Sequence, residues 1–226
     1  MNKDNFIQPI LIIIIAVLVI AAGFLLYNLS NKNAPAPSSF NKISNVNTAG
    51  NPFIGDENAP VTIAVWLDYQ CPFCQKFEKE AMPQMISDYV NTGKLKIVFK
   101  DFQFLGQDSQ TIGQFARAVW EAVPDKYGVW HKAMFDNQGA ENSGWATNDK
   151  IMSITSDAIG SEDANKVDQL VKLKSAEYQK LMDDDKKEAG TFGINGTPGT
   201  IIGNQVISGA QPYSVFKSAL DQLLNP

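Results

Sequence analysis

A short apolar strand that runs into a cysteine pair, and from there into a helix, is the feature that most narrows what this chain can fold into. Val61-Thr62-Ile63-Ala64-Val65-Trp66-Leu67 is β-branched, aromatic and almost wholly apolar, the pattern of a central strand buried on both faces. Asp68-Tyr69-Gln70 then leads into Cys71-Pro72-Phe73-Cys74. From Pro72 to about Val90, Phe77, Ala81, Met85 and Tyr89 recur at four-residue spacing, which predicts a helix that Pro83 should kink. Cys71 therefore falls at the helix N-terminus, where free backbone N–H groups and the positive end of the helix dipole favour a thiolate. Cys74, one turn on, is placed to be the more buried resolving partner, and Pro72 suits a first helical turn.

The chain of 226 residues holds 2 Cys and 1 His. A closed structural zinc site normally takes four Cys/His ligands, more than this pair and His131 can supply, and two cysteines make no disulfide scaffold. A bond between sulfurs so close in sequence closes a tiny loop and constrains the unfolded chain little. Redox chemistry therefore explains the pair better than architecture does. The competing readings are two small buried hydrophobes and a metal half-site completed by a second chain. The net charge of −5 comes with no basic cluster, which argues against nucleic acid as a partner.

Ile10 to Tyr27 carries no charge and, at about 18 residues, is long enough to cross a hydrocarbon core as a helix. It exceeds the usual length of a cleavable h-region, and the best small-residue cleavage pattern, Ala34-Pro35-Ala36, is followed by Pro37. An uncleaved anchor over 10–27 is the favoured expectation and a signal sequence the other. Residues 1–9 are a short leading segment, and 28–49, rich in Asn, Ser, Ala and Pro, read as a flexible linker. Lys3 and Lys32 flank the apolar run on opposite sides, so charge bias does not orient it.

The folded domain is expected over 50–226. A second strand, Leu95 to Lys100, follows the turn at Asn91-Thr92-Gly93. Helical patterns then occupy about 106–190, with Thr147 or Asn148 as a cap, Ser161-Glu162-Asp163 opening the last helix and Gly190 closing it. Gly199 to Ile202, the turn Gly203-Asn204 and Gln205 to Ile207 form a hairpin. A final helix from Tyr213 to Leu224 directs Val215, Phe216, Ala219, Leu220 and Leu223 at the sheet. Gly196-Thr197-Pro198-Gly199 precedes the hairpin, and an X-Pro bond opening a strand is a candidate cis peptide.

These residues together resemble the DsbA-like branch of the thioredoxin superfamily. They are the strand Val61–Leu67, Asp68-Tyr69-Gln70-Cys71-Pro72-Phe73-Cys74, Lys100-Asp101-Phe102, the helical insertion, and Gly196-Thr197-Pro198-Gly199. The resemblance implies an α/β thioredoxin-like central mixed sheet with an inserted helical subdomain, behind one transmembrane helix. It implies Cys71 as nucleophile, Cys74 as resolving cysteine, and Pro198 in cis beside them. Thr197 and Pro198 would then bind an extended substrate by strand addition. It further implies an extracytoplasmic, membrane-tethered enzyme that introduces disulfides into reduced exported proteins. Such an enzyme needs no cofactor beyond the Cys71–Cys74 disulfide and is reoxidised by a quinone-linked membrane protein of the DsbB or VKOR type. It is expected to be monomeric. The best-known motif of that branch has His where this chain has Phe73. Pro72 and Phe73 are accordingly the redox-tuning positions, and Phe73 predicts a Cys71 thiol less acidic than in the His-containing enzymes. A reductase or isomerase of the same fold, and a tethered peptide-binding holdase, are the alternative functions.

Several residues weigh less. His131 reads as structural or exposed. Asp68 and Glu78 could relay a proton from Cys74, against the plainer readings of a strand-end polar residue and an exposed helix residue. Asp183-Asp184-Asp185 reads as solvated helix surface, and Phe102, Phe104 and Leu105 as groove or core.

Overall fold

The computed structural model describes residues 43–225. The expected anchor at 10–27 lies outside them, and among the described residues no helix is long and apolar enough to cross a membrane.

Five strands form one mixed sheet in the order β1-β3-β2-β4-β5. β2 (Val61–Leu67) and β3 (Leu95–Asp101) are parallel, from Val61 opposite Leu95 to Leu67 opposite Asp101. β4 (Gly199–Ile202) lies antiparallel on the other side of β2, with Trp66 opposite Gly199, and β5 (Gln205–Ser208) completes the hairpin. β1 (Phe53–Ile54) adds an antiparallel edge to β3 and is too short for any periodicity to announce it. Along β2, Ile63, Val65 and Leu67 enter one apolar cluster while Ala64 and Trp66 enter another on the opposite face. Both faces are buried, which is why the strand has no polar alternation.

The helix predicted from Pro72 is broken. α1 (Pro72–Glu80) gives way to α2 (Met82–Met85) and then to a π-turn, Ile86–Val90. Pro83 sits in the first turn of α2, where its missing N–H costs nothing, so the break falls just ahead of it. Between β3 and β4 lie α3 (Gln107–Ala122), α4 (Tyr127–Asp136), α5 (Asn148–Ile159) and α6 (Ser161–Thr191). Thr147 caps α5 by accepting the Lys150 N–H. α6 passes the expected stop at Gly190. Gly193 instead takes the left-handed conformation at φ +73°, and the Ile194 N–H returns to the Ala189 carbonyl, a helix end that needs glycine at that position. The final helix, α7 (Tyr213–Leu224), buries Phe216, Ala219 and Leu220. Val215 and Leu223, expected to face the sheet, are 40% and 41% exposed.

Two further sequence expectations need correction. Residues 43–49, assigned to the linker, pack on the domain. Ile43–Asn45 forms a 3₁₀ turn, the Ile43 N–H bonds the Gly203 carbonyl, and Val46 is buried against Ala64, Trp66 and Ile201. Two apolar residues in a polar stretch carry too little pattern to show this in sequence. Asp185, read as solvated, is buried and paired with Lys100 and Arg117, both buried themselves. Arg117 also meets Asp101 at 2.5 Å, and Lys100 meets Glu188 at 2.9 Å and the Asn47 carbonyl at 2.8 Å. A charge is stable in the interior only when paired and hydrogen-bonded. This cluster joins α3, α6, β3 and the 47–51 segment, since Arg117 also donates to Asn51 Oδ1.

Candidate active site

The thiols owe their position to β2. The strand stays extended to Leu67, and the Asp68 carbonyl then accepts the Cys71 N–H, turning the chain so that Cys71 becomes the N-cap of α1 with extended backbone angles (φ −69°, ψ 121°). Pro72 is the first helical residue. Cys71 and Cys74 are free thiols, buried at 4% and 1% exposure, while Phe73 between them is 62% exposed.

Asp68 holds this turn. Its carboxylate is fully buried and accepts the N–H groups of Gln70, Phe104 and Leu105 and the Ser109 hydroxyl. The loop after β2 is thereby tied to the loop after β3. Two glutamines that the sequence reading passed over extend the scaffold. Gln70 donates to Ser109 Oγ and the Leu105 carbonyl and accepts the Asn142 N–H. Gln138, from the helical insertion, donates to the carbonyls of Tyr69 (2.7 Å) and Cys71 (3.2 Å). Nothing in local sequence distinguishes these glutamines from surface residues; their role exists only once the insertion folds over the motif.

Opposite the thiols, the Thr197–Pro198 peptide is cis. The Cys71 Sγ lies 3.5 Å from the Thr197 carbonyl oxygen, and the Pro198 carbonyl accepts the Gly209 N–H at 2.8 Å, fixing this loop to the end of β5. Cys71, Cys74, Thr197 and Pro198, distant in sequence, are thus one site.

The two sulfurs are electrostatically unlike. The Cys71 thiol is lowered to about 6, chiefly by its hydrogen bond with the Cys74 thiol, with help from Thr197 and the N–H groups of Cys74 and Phe73, and against the opposing effect of burial. Cys74 is pushed well up by burial and by the neighbouring Cys71 sulfur. This is the division expected of a nucleophile and a resolving thiol.

Of the remaining candidates, Phe104 is 45% exposed while Phe102, its ring neighbour at 5.6 Å, is buried; Leu105 is half-buried. Phe73 and Phe104 are the exposed apolar rings of this region. His131 is buried beneath the motif, its Nδ1 2.8 Å from the Tyr69 hydroxyl. Glu78, expected on an exposed helix face, has a side chain only 7% exposed, with Oε1 3.1 Å from His131 Nε2.

The thioredoxin family model matches residues 47–222. A relative described as "Probable disulfide bond formation protein D" from Bacillus cereus is 23% identical over 98% of this chain and 99% of its own length. The crystal structure of oxidised BdbD from Bacillus subtilis superposes with a TM-score of 0.70 at 24% identity, covering 78% of this chain and 94% of that one. The thiol–disulfide exchange protein alpha-DsbA2 of Wolbachia pipientis gives a TM-score of 0.68 at 25% identity, over 77% and 88%. The chain belongs to the thioredoxin family, with the helical insertion of its DsbA-like members. With a free thiol pair set against Thr197, and with relatives named for disulfide bond formation, it is a thiol–disulfide oxidoreductase.

Proposed function

We propose that the enzyme works as an extracytoplasmic oxidase, passing the Cys71–Cys74 disulfide to reduced exported proteins. The observation that carries this reading is the opposite displacement of the two thiols. A thiolate stabilised at Cys71 stabilises the reduced enzyme, and an enzyme whose reduced form is stabilised is an oxidant.

A substrate thiolate attacks Cys71 Sγ of the oxidised pair. The Cys71–Cys74 bond breaks, and Cys74 leaves as a thiolate that takes up a proton, as its raised affinity for one favours. A second substrate thiolate then attacks the substrate sulfur of the mixed disulfide. Cys71 departs as the better leaving group, since the lower-pKa thiol leaves faster. The substrate loses two electrons and the enzyme gains them, so the working pair is itself the redox group and no bound cofactor is called for. Thr197 and Pro198 would hold the substrate in extended form, the Thr197 backbone pairing with it as an added strand, while Phe73 and Phe104 offer apolar contact beside the sulfur. Reoxidation falls to a quinone-linked membrane partner of the DsbB or VKOR type, and residues 10–27 tether the monomeric enzyme beside it. The apolar run supports the tether, and the names of the Bacillus relatives, disulfide bond formation protein D, support the direction of the reaction.

The measured potential is the test. A Cys71 thiol near 6 lies between the roughly 3.5 of DsbA and the roughly 7 of thioredoxin, so equilibration with glutathione should give a value between about −120 and −270 mV. A value at or below thioredoxin's makes the protein a reductase. Full cellular function in a Cys71→Ala, Cys74→Ala protein makes it a peptide-binding holdase. Cys74→Ala should trap substrates and the reoxidising partner as mixed disulfides on Cys71.

A further inference from the structure

Helix α4 of the insertion grips the chain on both sides of the two cysteines. Tyr127, His131 and Phe135 stand four residues apart on one face of that helix, and all three are buried. On the strand side of the pair they hold Tyr69, two residues before Cys71. The Tyr69 hydroxyl lies 3.1 Å from the Tyr127 hydroxyl and 2.8 Å from His131 Nδ1, and the Phe135 ring stacks on the Tyr69 ring at 4.9 Å. On the helix side they hold α1. The Phe135 carbonyl accepts Gln75 Nε2 at 3.0 Å, and His131 Nε2 meets Glu78 Oε1 at 3.1 Å. That last contact is tilted from the ideal direction, but both atoms are sealed from solvent with no hydrogen-bond partner elsewhere, so each depends on the other.

We propose that His131 is the positioning residue of the thiol pair, tying the turn that delivers Cys71 to the helix that carries Cys74. Its chemistry fits the task. A neutral imidazole offers one donor and one acceptor on different sides of its ring. The Glu78 carboxylate, in a side chain 7% exposed, takes the donor at Nε2, since a buried carboxylate must be paired. Nδ1 is then left to accept from the Tyr69 hydroxyl, and the Tyr69 oxygen to accept from Tyr127. One polar chain thus runs from Tyr127 through Tyr69 and His131 to Glu78. Removing the imidazole leaves Glu78 buried without a donor. A phenyl ring would fill the same space, among Tyr69, Phe99, Tyr127 and Phe135, and tie nothing.

Position matters to the chemistry because the Cys71 sulfur is acidified by the Cys74 thiol, with further help from the N–H groups of Cys74 and Phe73, all in the first turn of α1. Hydrogen bonds weaken steeply as their angle closes, so a turn and a helix free to shift against one another hold the thiolate less well. This acts on the pair whichever way electrons pass. A reductase's potential in the native protein would defeat the oxidase reading and leave this one standing.

The test reads the Cys71 thiol by thiolate absorbance and by the pH dependence of its alkylation, together with the glutathione equilibrium. His131→Phe should raise that thiol by about one pH unit, the low end of what a hydrogen bond to a charged group contributes. The protein should then be about fivefold weaker as an oxidant at pH 7, because its reduced form gains that much less from ionisation, a fall of about 20 mV. His131→Gln, which presents an acceptor and a donor at similar spacing, should restore most of both. Tyr69→Phe removes a single hydroxyl and should move both readings in the same direction; it carries the test if His131→Phe does not fold. A folded His131→Phe or Tyr69→Phe protein that has lost stability but keeps its thiol and potential would overturn the assignment and make His131 a core residue. So would a folded His131→Gln protein no better than His131→Phe.

Discussion

Cys71 and Cys74 stand one helical turn apart, and the contrast between them comes from surroundings that differ over that short distance. Cys71 caps α1 and is hydrogen-bonded by the Cys74 thiol, whereas Cys74, the more deeply buried of the two, is dominated by its desolvation. Lowered to about 6, the Cys71 thiol is ionised at neutral pH. The couple should then take up two protons per two electrons below about pH 6 and one above it. The slope of potential against pH should therefore fall from about 59 to about 30 mV per unit near pH 6, and a single slope across that range would contradict the lowered thiol. A group whose folded pKa is depressed contributes stability that is fully present above its unfolded pKa, about 8.5 for Cys, and that is lost as pH falls through about 6. Thermal melts should show the reduced protein gaining on the oxidised one between those values, since the disulfide has no thiol to titrate. Phe73 has no proton or charge to offer the thiolate. Phe73→His should lower the Cys71 thiol further and make the protein more oxidising, as read by thiolate absorbance and glutathione equilibrium; no fall in the thiol's pKa would remove residue 73 from the tuning set.

At the scale of elements, the active site is where three loops meet, and Asp68 fastens two of them. Its carboxylate takes three backbone N–H groups and the Ser109 hydroxyl in a fully buried setting. In Asp68→Ala those donors lose their acceptor in the interior, and each buried group left unpaired costs about 1–3 kcal/mol. The variant should lose roughly 3–5 kcal/mol, the range of severe single changes, measured by chemical denaturation. Because the β3–α3 loop carries Phe104, the loss should be accompanied by weaker substrate peptide binding at the site. Gln138 acts across elements in the same way, bringing the insertion to the carbonyls on both sides of Gln70.

For the whole molecule, the buried charges decide where the folded unit begins. Lys100, Arg117, Asp101 and Asp185 draw α3, α6 and β3 together, and Asn47 and Asn51 complete their hydrogen bonding. Removing one member of a buried ionic set leaves an uncompensated charge, so Asp185→Ala should cost about 3–5 kcal/mol, read as a shift in denaturation midpoint. Deletion through Asn51 should likewise be markedly less stable than deletion through Lys42. The longer deletion removes Val46 from the core and leaves Lys100 without the Asn47 carbonyl. Equal midpoints would return residues 43–49 to the linker.

Local chemistry was enough to read the strands, the helical insertion and the cap position of Cys71, because strand and helix periodicities and the Cys-x-x-Cys spacing are properties of neighbouring residues; the mixed sheet and the place of Pro198 beside the thiols followed from the family resemblance. The same reasoning misjudged Asp185, Glu78 and residues 43–49. An isolated acid on a helix looks solvated until its partners, Lys100 and Arg117 for Asp185 and His131 for Glu78, arrive from elsewhere in the chain. The strand entering Cys71-Pro72-Phe73-Cys74 therefore determined by itself that a thiol pair would cap a helix at the end of a central strand. Only the tertiary structure, which buries both thiols and brings Thr197 against them, decided how far the two would differ. Burial and the hydrogen bond from Thr197 come from residues distant in sequence, and they add to what Cys74 and Phe73 supply locally.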